Sequence, residues 1–272
     1  MNDFINWLSA TYSPDSIWTN WKIIIISYAC WFMVEQIIPA RKQSISNIWG
    51  NLFVTFIYLT LASSAGMLMT IYINKIIPAP IIKVHDLMHP IFALILFVCI
   101  ADFFFYWFHR LAHVWQPLWR IHKLHHSDRN LNVSTTLRNH WLEEPIRAVI
   151  MIAPISALVN ISPIDGGIFA ALLAQWSYFI HANVKISFGF FTKIVCGPQV
   201  HRVHHSIGVI NKNFAAFLPI YDILFGTYLE PDSWHETGLS DHNGALTFKD
   251  VIFVGSQSSN LDPTLTSELR NT

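Results

Sequence analysis

Long apolar segments with few charged residues limit the folds open to this chain more than any other feature of its sequence. Three such segments cover residues 21–38, 49–73 and 90–108. Each is close to the roughly 20 residues that a helix needs to cross a bilayer, and in lipid a helix satisfies all of its own backbone hydrogen bonds. Only 12% of the residues are charged, against about 25% in an average soluble domain. The sequence therefore predicts an all-α fold, an integral membrane helical bundle with three spans.

Two shorter apolar stretches follow, at residues 146–161 and 165–181, and are joined by Ser162 and Pro163. We expect them to form a tight helical hairpin that dips into the membrane or crosses it with help from flanking residues. Basic residues between the third span and this hairpin indicate, by the positive-inside rule, that this region is cytoplasmic and that the N-terminus is outside. They are Arg110, Arg120, Lys123, Arg129, Arg138 and Arg147.

The charge balance and the cysteines exclude several classes of protein. The formal net charge at pH 7 is zero, so no basic surface for nucleic acid is indicated. Cys30, Cys99 and Cys196 are far apart and form no CxxC pair, which argues against a disulfide framework and an iron–sulfur cluster.

Eight of the fourteen histidines are grouped in three short boxes, one HxxxH and two HxxHH. They are His109 and His113, then His122, His125 and His126, then His201, His204 and His205. Residues three and four apart share one face of a helix, so each box can direct all of its imidazoles at one point. Because neutral imidazole is a common metal ligand, the boxes predict a metal site.

Other histidines have a less regular context. His181 ends the second helix of the hairpin and returns to the same membrane face, so we predict a ninth ligand rather than an interfacial polar anchor. His140 is left open between a metal ligand and a residue that holds Glu143 or Glu144 in place. Four histidines outside any box are expected on the surface or in loops: His85, His89, His235 and His242.

Nine imidazoles are too many for one ion, since structural zinc takes four ligands and a single non-haem iron commonly takes two histidines and a carboxylate. They suit two ions, each with four or five nitrogens and an open coordination position. No HExxH motif is present, which argues against a zinc protease. Iron with open positions at the boundary of water and lipid is suited to activating O₂ against an unreactive C–H bond.

Asp102 is an ionisable residue inside the third span, two turns before His109, and is therefore a functional candidate. We predict that it orients a ligand histidine by accepting the second ring N–H. The alternative is a hydrogen bond between two helices.

The boxes and their flanking segments resemble the fatty acid hydroxylase/sterol desaturase superfamily of membrane di-iron enzymes. DFFFYWFHRLAH precedes the second box, HKLHHSDRNLNVSTTLR continues it, and FIHAN holds the single histidine. NKNF and YDILFGTY are similar to the closing segment of the family. The resemblance covers about residues 95–230, and departs from the family at Trp141, Ala215 and Tyr221. It implies two iron ions held by the nine histidines, O₂ as co-substrate and a lipid substrate.

The implied reaction removes hydrogen from a lipid such as a fatty acyl chain, sterol or related isoprenoid, giving an alcohol or an alkene. The lipid would approach between the third span and the hairpin, along the aromatic residues of 103–108 and 176–179. No haem-attachment motif or flavin fingerprint is present, so electrons are expected from a separate reductase or ferredoxin. Other classes stay open: a membrane zinc-dependent hydrolase with the same histidines, a metal-binding or transport protein, or an inactive structural relative.

The predicted organisation has three parts. Residues 1–89 form an N-terminal membrane region with two spans, residues 90–230 form the catalytic domain, and residues 231–272 form a polar C-terminal tail. The histidine site is expected on the cytoplasmic face. A short chain without a retrieval signal or fused domain favours a bacterial inner membrane.

Overall fold

The computed structural model describes residues 14–77, 80–83, 89–160, 163–209, 211–240 and 247–254. The regular secondary structure of these residues is helical, as predicted, apart from one short pairing of strands. The helices are α1 (Pro14–Ile37), α2 (Ile48–Ile76), α3 (Pro90–Val114), α4 (Gln116–His126), α5 (Glu143–Arg147), α6 (Ala153–Leu158), α7 (Pro163–His181), α8 (Pro198–His204), α9 (Ile220–Leu224) and α10 (Phe248–Ile252). A π-helical turn, Ala148–Ile152, joins α5 to α6, and 3₁₀ turns cover Val133–Leu137 and Gly189–Lys193. Strands β1 (Ile82–Lys83) and β2 (Val159–Asn160) pair in parallel.

Two of these helices are long and apolar enough to cross a membrane, by length and composition. The qualifying segments are Ile48–Gly66 in α2 and Ile91–Val114 in α3, which contain or overlap the predicted second and third spans. The predicted first span lies in α1, which is not among the segments that qualify. Three spans and a cytoplasmic site therefore stay predictions.

The long helices turn large apolar side chains outward. Ile26 in α1, Leu68 in α2, Phe92 in α3 and Leu172 in α7 are each between 49% and 63% exposed. Large exposed apolar areas mark contacts with a membrane or with another protein. These faces suit contact with lipid.

The arms of the predicted hairpin are helical, except that Val159 and Asn160 near the end of the first arm form strand β2, and they pack mainly against other helices. The first arm runs without a break from Glu143 to Leu158, and its Ile146 and Ile150 pack against the α3–α4 corner. The second arm, α7, packs against α1, where Tyr178 meets Tyr28 edge to face at 5.3 Å. Of the residues predicted to join the arms, Pro163 begins α7 and Ser162 lies outside the described residues, as does Ile161.

The small residues of α2 allow one close helix approach. A Cβ atom at Gly66 would lie 2.7 Å from Cγ of Glu144, which is inside van der Waals contact. Glu144 is held there by the Tyr58 hydroxyl, which donates to it at 2.8 Å, and by Arg147 at 3.3 Å. This contact fixes the start of α5 beside α2.

Helix α3 extends through the first histidine box to Val114, and the chain then reverses direction. Trp115 has an extended backbone conformation, and Pro117 lies in the first turn of α4, where its fixed φ and missing N–H cost nothing. The reversal packs Ala112 against Leu118 and Ile121. It brings the first and second histidine boxes together.

Candidate metal centre

The nine histidines predicted as metal ligands form two adjacent groups, and all nine are buried. Within each group, one ring nitrogen of every residue lies within 4.8 Å of the others. The five-histidine group consists of His109, His113, His122, His126 and His204. The four-histidine group consists of His125, His181, His201 and His205.

The second and third boxes do not aim at one point, as the sequence had suggested, but divide between the groups. In the second box, His122 and His126 belong to the five-histidine group and His125 belongs to the four-histidine group. In the third box, His201 and His205 belong to the four-histidine group and His204 belongs to the five-histidine group. The reason is the helical rotation of about 100° per residue. The first and last histidines of HxxHH are about 40° apart, whereas the two adjacent ones are about 100° apart.

In the four-histidine group the Nε2 atoms approach one another closely. His181 Nε2 lies 3.1 Å from His125 Nε2 and 3.0 Å from His201 Nε2. His205 Nε2 lies 3.2 Å from His201 Nε2. Two nitrogens that share one ion at about 2.1 Å are separated by about 3.0–3.4 Å when the angle between them is about 90–109°. The spacing therefore fits coordination of a common ion.

The five-histidine group contains buried nitrogens that have no hydrogen-bond partner among the described residues. They are Nε2 of His113, His122, His126 and His204. Leaving such an atom unsatisfied costs about 1–3 kcal/mol, a cost that a bound ion would remove. Burial lowers the pKa of His126 well below its usual value and that of His204 to about 3, so these rings are neutral, as metal binding requires.

Backbone carbonyls fix the orientation of three rings. Nδ1 of His109 donates to the Phe214 carbonyl at 2.7 Å, Nδ1 of His204 to Lys212 at 2.8 Å, and Nδ1 of His181 to Ser177 at 2.7 Å. A proton held on Nδ1 leaves the Nε2 lone pair free for a metal. This tautomer is the one that the two groups need.

Glu143 supplies a carboxylate that sequence reasoning did not assign to the site. Its Oε1 accepts a short hydrogen bond from Nδ1 of His122, and both side chains are almost fully buried. Burial raises the pKa of Glu143, but His122 and Arg147 outweigh that effect and hold it below its usual value. The available signal was the acidic pair Glu143–Glu144 at the start of an apolar stretch.

We expect the Glu143→Gln variant to bind metal in the five-histidine group about 10- to 100-fold more weakly, as is typical when a ligand's outer hydrogen bond is lost. The neutral amide is a weaker acceptor and also presents an NH₂ group. The effect is measured as the amount of metal that the protein retains as the chelator concentration is increased. Glu144→Gln is the matched control, because Glu144 contacts Tyr58 and Arg147. Equal weakening in both variants would contradict the assignment.

Asp102 does not orient a histidine directly. Its Oδ1 accepts the backbone N–H groups of Ala216 and Phe217 at 2.9 and 3.1 Å, and its Oδ2 accepts that of Leu218 at 2.7 Å. The predicted contact with a ligand histidine is therefore wrong, and so is the helix-to-helix alternative. Three successive donors of a loop beside α3 satisfy the carboxylate.

The remaining histidines lie outside both groups. His140 accepts the backbone N–H of Leu142 through Nδ1 at 3.2 Å, His89 accepts that of Ile91 at the start of α3, and His235 pairs with Asp232 at 2.7 Å. His85 and His242 lie outside the described residues.

Comparison with known proteins points to the same segment. Residues 94–227, which contain all nine histidines, match the fatty acid hydroxylase family model. The chain is 34% identical over 156 residues to an alkylglycerol monooxygenase of Danio rerio, covering 57% of this chain and 34% of that protein. It is 35% identical over 142 residues to an ornithine lipid hydroxylase of Rhizobium tropici, covering 52% and 43%. It is 25% identical over 165 residues to a very-long-chain aldehyde decarbonylase of Oryza sativa subsp. indica, covering 57% and 26%.

The matched region spans less than half the length of each of these three relatives. No solved structure shows significant similarity to the chain. The family match and the relatives nevertheless agree with the resemblance carried by the histidine boxes, which is thereby confirmed. Over residues 94–227 the chain belongs to the fatty acid hydroxylase/sterol desaturase superfamily.

Proposed function

We propose that this protein is a membrane-bound oxygenase that holds two iron ions in its two histidine groups and uses O₂ to hydroxylate or desaturate a lipid. The observation that carries the proposal is the division of nine buried histidines into groups of five and four with converging nitrogens. The three relatives support it, because they are named as a monooxygenase, a hydroxylase and a decarbonylase.

The donor set favours iron over zinc. Imidazole binds both metals, but five imidazoles exceed the four ligands of a structural zinc site. Iron bound in the two groups would supply the reduction of O₂ and the oxidising power that breaks a C–H bond.

The protein's own side chains set the geometry of the site. Glu143 and the carbonyls of Phe214 and Lys212 hold three rings of the five-histidine group in one tautomer. Burial of all nine rings keeps bulk water away from the place of reaction, which protects it from side reactions.

The substrate that we propose has a long alkyl or acyl chain. The relatives are named for an alkylglycerol, an ornithine lipid and a very-long-chain aldehyde. In this chain the Phe105 ring lies 5.1 Å from that of His109, and Trp176 of α7 stacks on Phe217 at 5.0 Å. A lipid chain that approaches from the bilayer between α3 and α7 would meet these rings before the histidines.

Hydroxylation consumes O₂, two electrons and two protons, with one oxygen atom placed on the substrate and the other released as water. We propose that a separate reductase or ferredoxin delivers the electrons to the cytoplasmic face. The exposed basic residues Arg120 and Arg129, between α3 and α5, support that orientation.

The test uses the full chain, purified in detergent and reconstituted with iron. Metal analysis is expected to give two irons per chain. With reductant, an electron-transfer protein and long-chain lipids, O₂ uptake should depend on lipid, and labelled oxygen from O₂ should enter an alcohol product; an alkene formed in step with O₂ uptake would indicate desaturation. Zinc alone, with hydrolysis of lipid in the absence of O₂, would contradict the proposal and favour a hydrolase. Tightly bound iron without any lipid conversion would favour a metal-binding protein.

A further inference from the structure

The loop of residues 212–218, between α8 and α9, lies against the five-histidine group. Its carbonyls at Lys212 and Phe214 accept the Nδ1 protons of His204 and His109. The loop therefore sets the orientation of two rings from outside the histidine boxes. What holds the loop in place then bears on the metal site.

Two buried carboxylates accept hydrogen bonds from five successive backbone N–H groups of this loop. Asp222 accepts those of Phe214 and Ala215, both at 2.8 Å. Asp102 accepts the next three, those of residues 216–218, at 2.7–3.1 Å. Both carboxylates are almost fully buried, at 1% and 3% exposure.

One peptide group connects Asp222 to a histidine. The carbonyl of the Phe214–Ala215 peptide accepts from Nδ1 of His109 at 2.7 Å, while the N–H of the same peptide donates to Oδ2 of Asp222 at 2.8 Å. A hydrogen bond from N–H to a charged acceptor is strong, and hydrogen bonds in a chain polarise one another. The carbonyl thereby becomes a better acceptor for the histidine.

We propose that Asp222 is a positioning residue for the five-histidine group, acting on His109 through the Phe214–Ala215 peptide. The inference rests on the proposed binding of metal by that group. The arrangement does through a peptide what Glu143 does directly to His122. It holds the proton of His109 on Nδ1 and turns Nε2 toward the ion, as outer carboxylates commonly do for ligand histidines.

Asp102 provides a matched comparison, because it holds the same loop without reaching a histidine. The Ala216–Phe217 peptide donates its N–H to Asp102, and its carbonyl accepts a hydrogen bond from Nε1 of Trp176 at 3.0 Å. The Phe217–Leu218 peptide also donates its N–H to Asp102, and its carbonyl accepts a hydrogen bond from the N–H of Cys196 at 2.8 Å. Loss of Asp102 should loosen the loop, whereas loss of Asp222 should also alter a ligand.

The test compares Asp222→Asn with Asp102→Asn in the full chain loaded with iron-57. Chelator competition and Mössbauer spectra of the reduced protein report on the two sites separately, and thermal melting reports on the fold. In Asp222→Asn we expect about 10-fold weaker iron binding at one site, with a changed quadrupole splitting for that site alone. In Asp102→Asn we expect a lower melting temperature with both spectral components as in the wild type.

Unchanged spectra and affinity in Asp222→Asn would overturn the inference, and so would equal changes in both variants, which would show that only the integrity of the loop matters. If Asp222→Asn does not fold, Thr227→Val removes a hydroxyl that donates to Asp222 at 2.7 Å. It is expected to shift the same spectral component by a smaller amount, and no shift would overturn the inference. Wild-type protein that binds no iron would contradict the proposed function itself, and the inference would fall with it.

Discussion

Replacement of His201 by alanine should leave one tightly bound iron per chain instead of two. Nε2 of His201 lies 3.0 Å from that of His181 and 3.2 Å from that of His205, so it is central to the four-histidine group. Three imidazoles would remain there, while the five-histidine group keeps its full set. Because loss of an outer hydrogen bond already costs about 10- to 100-fold, loss of a ligand should lower lipid oxidation by more than about 100-fold.

His204→Ala is the matched variant for the other group. It is adjacent in sequence to His205 but belongs to the five-histidine group, where four imidazoles would remain. We expect weaker iron binding at that site with the four-histidine site intact. Metal analysis and Mössbauer spectra of the two variants should therefore change different components.

The control for both is His235→Ala, since His235 pairs with the exposed Asp232 outside either group. It should keep two irons and wild-type oxidation. Two retained irons in both His201→Ala and His204→Ala would contradict two separate sites. Loss of both ions from each variant, with an unchanged fold, would instead indicate one undivided cluster.

The identity of the histidines that come together could be predicted from the sequence, because spacing at three and four residues is a local property of a helix. Their division could also have been predicted. The same helical rotation that pairs His122 with His126 turns His125 away from them, and treating each box as a single point overlooked it.

The groups that orient the rings could not be predicted in the same way. The acceptors for His109 and His204 are backbone carbonyls of residues 214 and 212, and every residue has such a carbonyl. Only the tertiary approach of the loop selects them. Asp102 was unusual enough to be noticed inside an apolar helix, but its partners are also backbone groups, which have no sequence signature.

The arginines show a further limit of sequence reasoning. Arg138 and Arg147 were counted among the basic residues that indicate orientation, by a rule that takes no account of where their side chains lie. In the structure Arg138 is 1% exposed, and Arg147 lies 3.3 Å from Glu144 and 3.7 Å from Glu143. Arg138 is buried against Asn51 of α2, a partner from a distant part of the chain, whereas Arg147 pairs with carboxylates three and four residues before it in α5.

Replacement of Arg138 by methionine should destabilise the protein by about 3–5 kcal/mol, because three buried acceptors would lose a donor at about 1–3 kcal/mol each. Its guanidinium donates to the Leu124 carbonyl at 3.1 Å, to Oδ1 of Asn51 at 2.7 Å and to Oγ of Ser127 at 2.6 Å. These bonds tie α2 to the end of α4. Asn51 also donates to Asp128 at 2.7 Å. Loss of Arg138 would therefore also weaken the hydrogen bond that Asn51 makes to this buried carboxylate.

Arg138→Lys should not restore stability, because a single ammonium group cannot reach three acceptors in the directions that a guanidinium serves. Arg120→Met, at an exposed position of α4, is the control and should stay within about 0.5 kcal/mol of the wild type. Thermal unfolding of the metal-free proteins in detergent separates this effect from metal binding.

Because Leu124 and Ser127 flank His125 and His126, we expect Arg138→Met to weaken both iron sites together, unlike the histidine variants. A wild-type melting temperature in Arg138→Met would show that the network is not needed to hold the second box, and loss of iron from one site alone would show that it supports only one group.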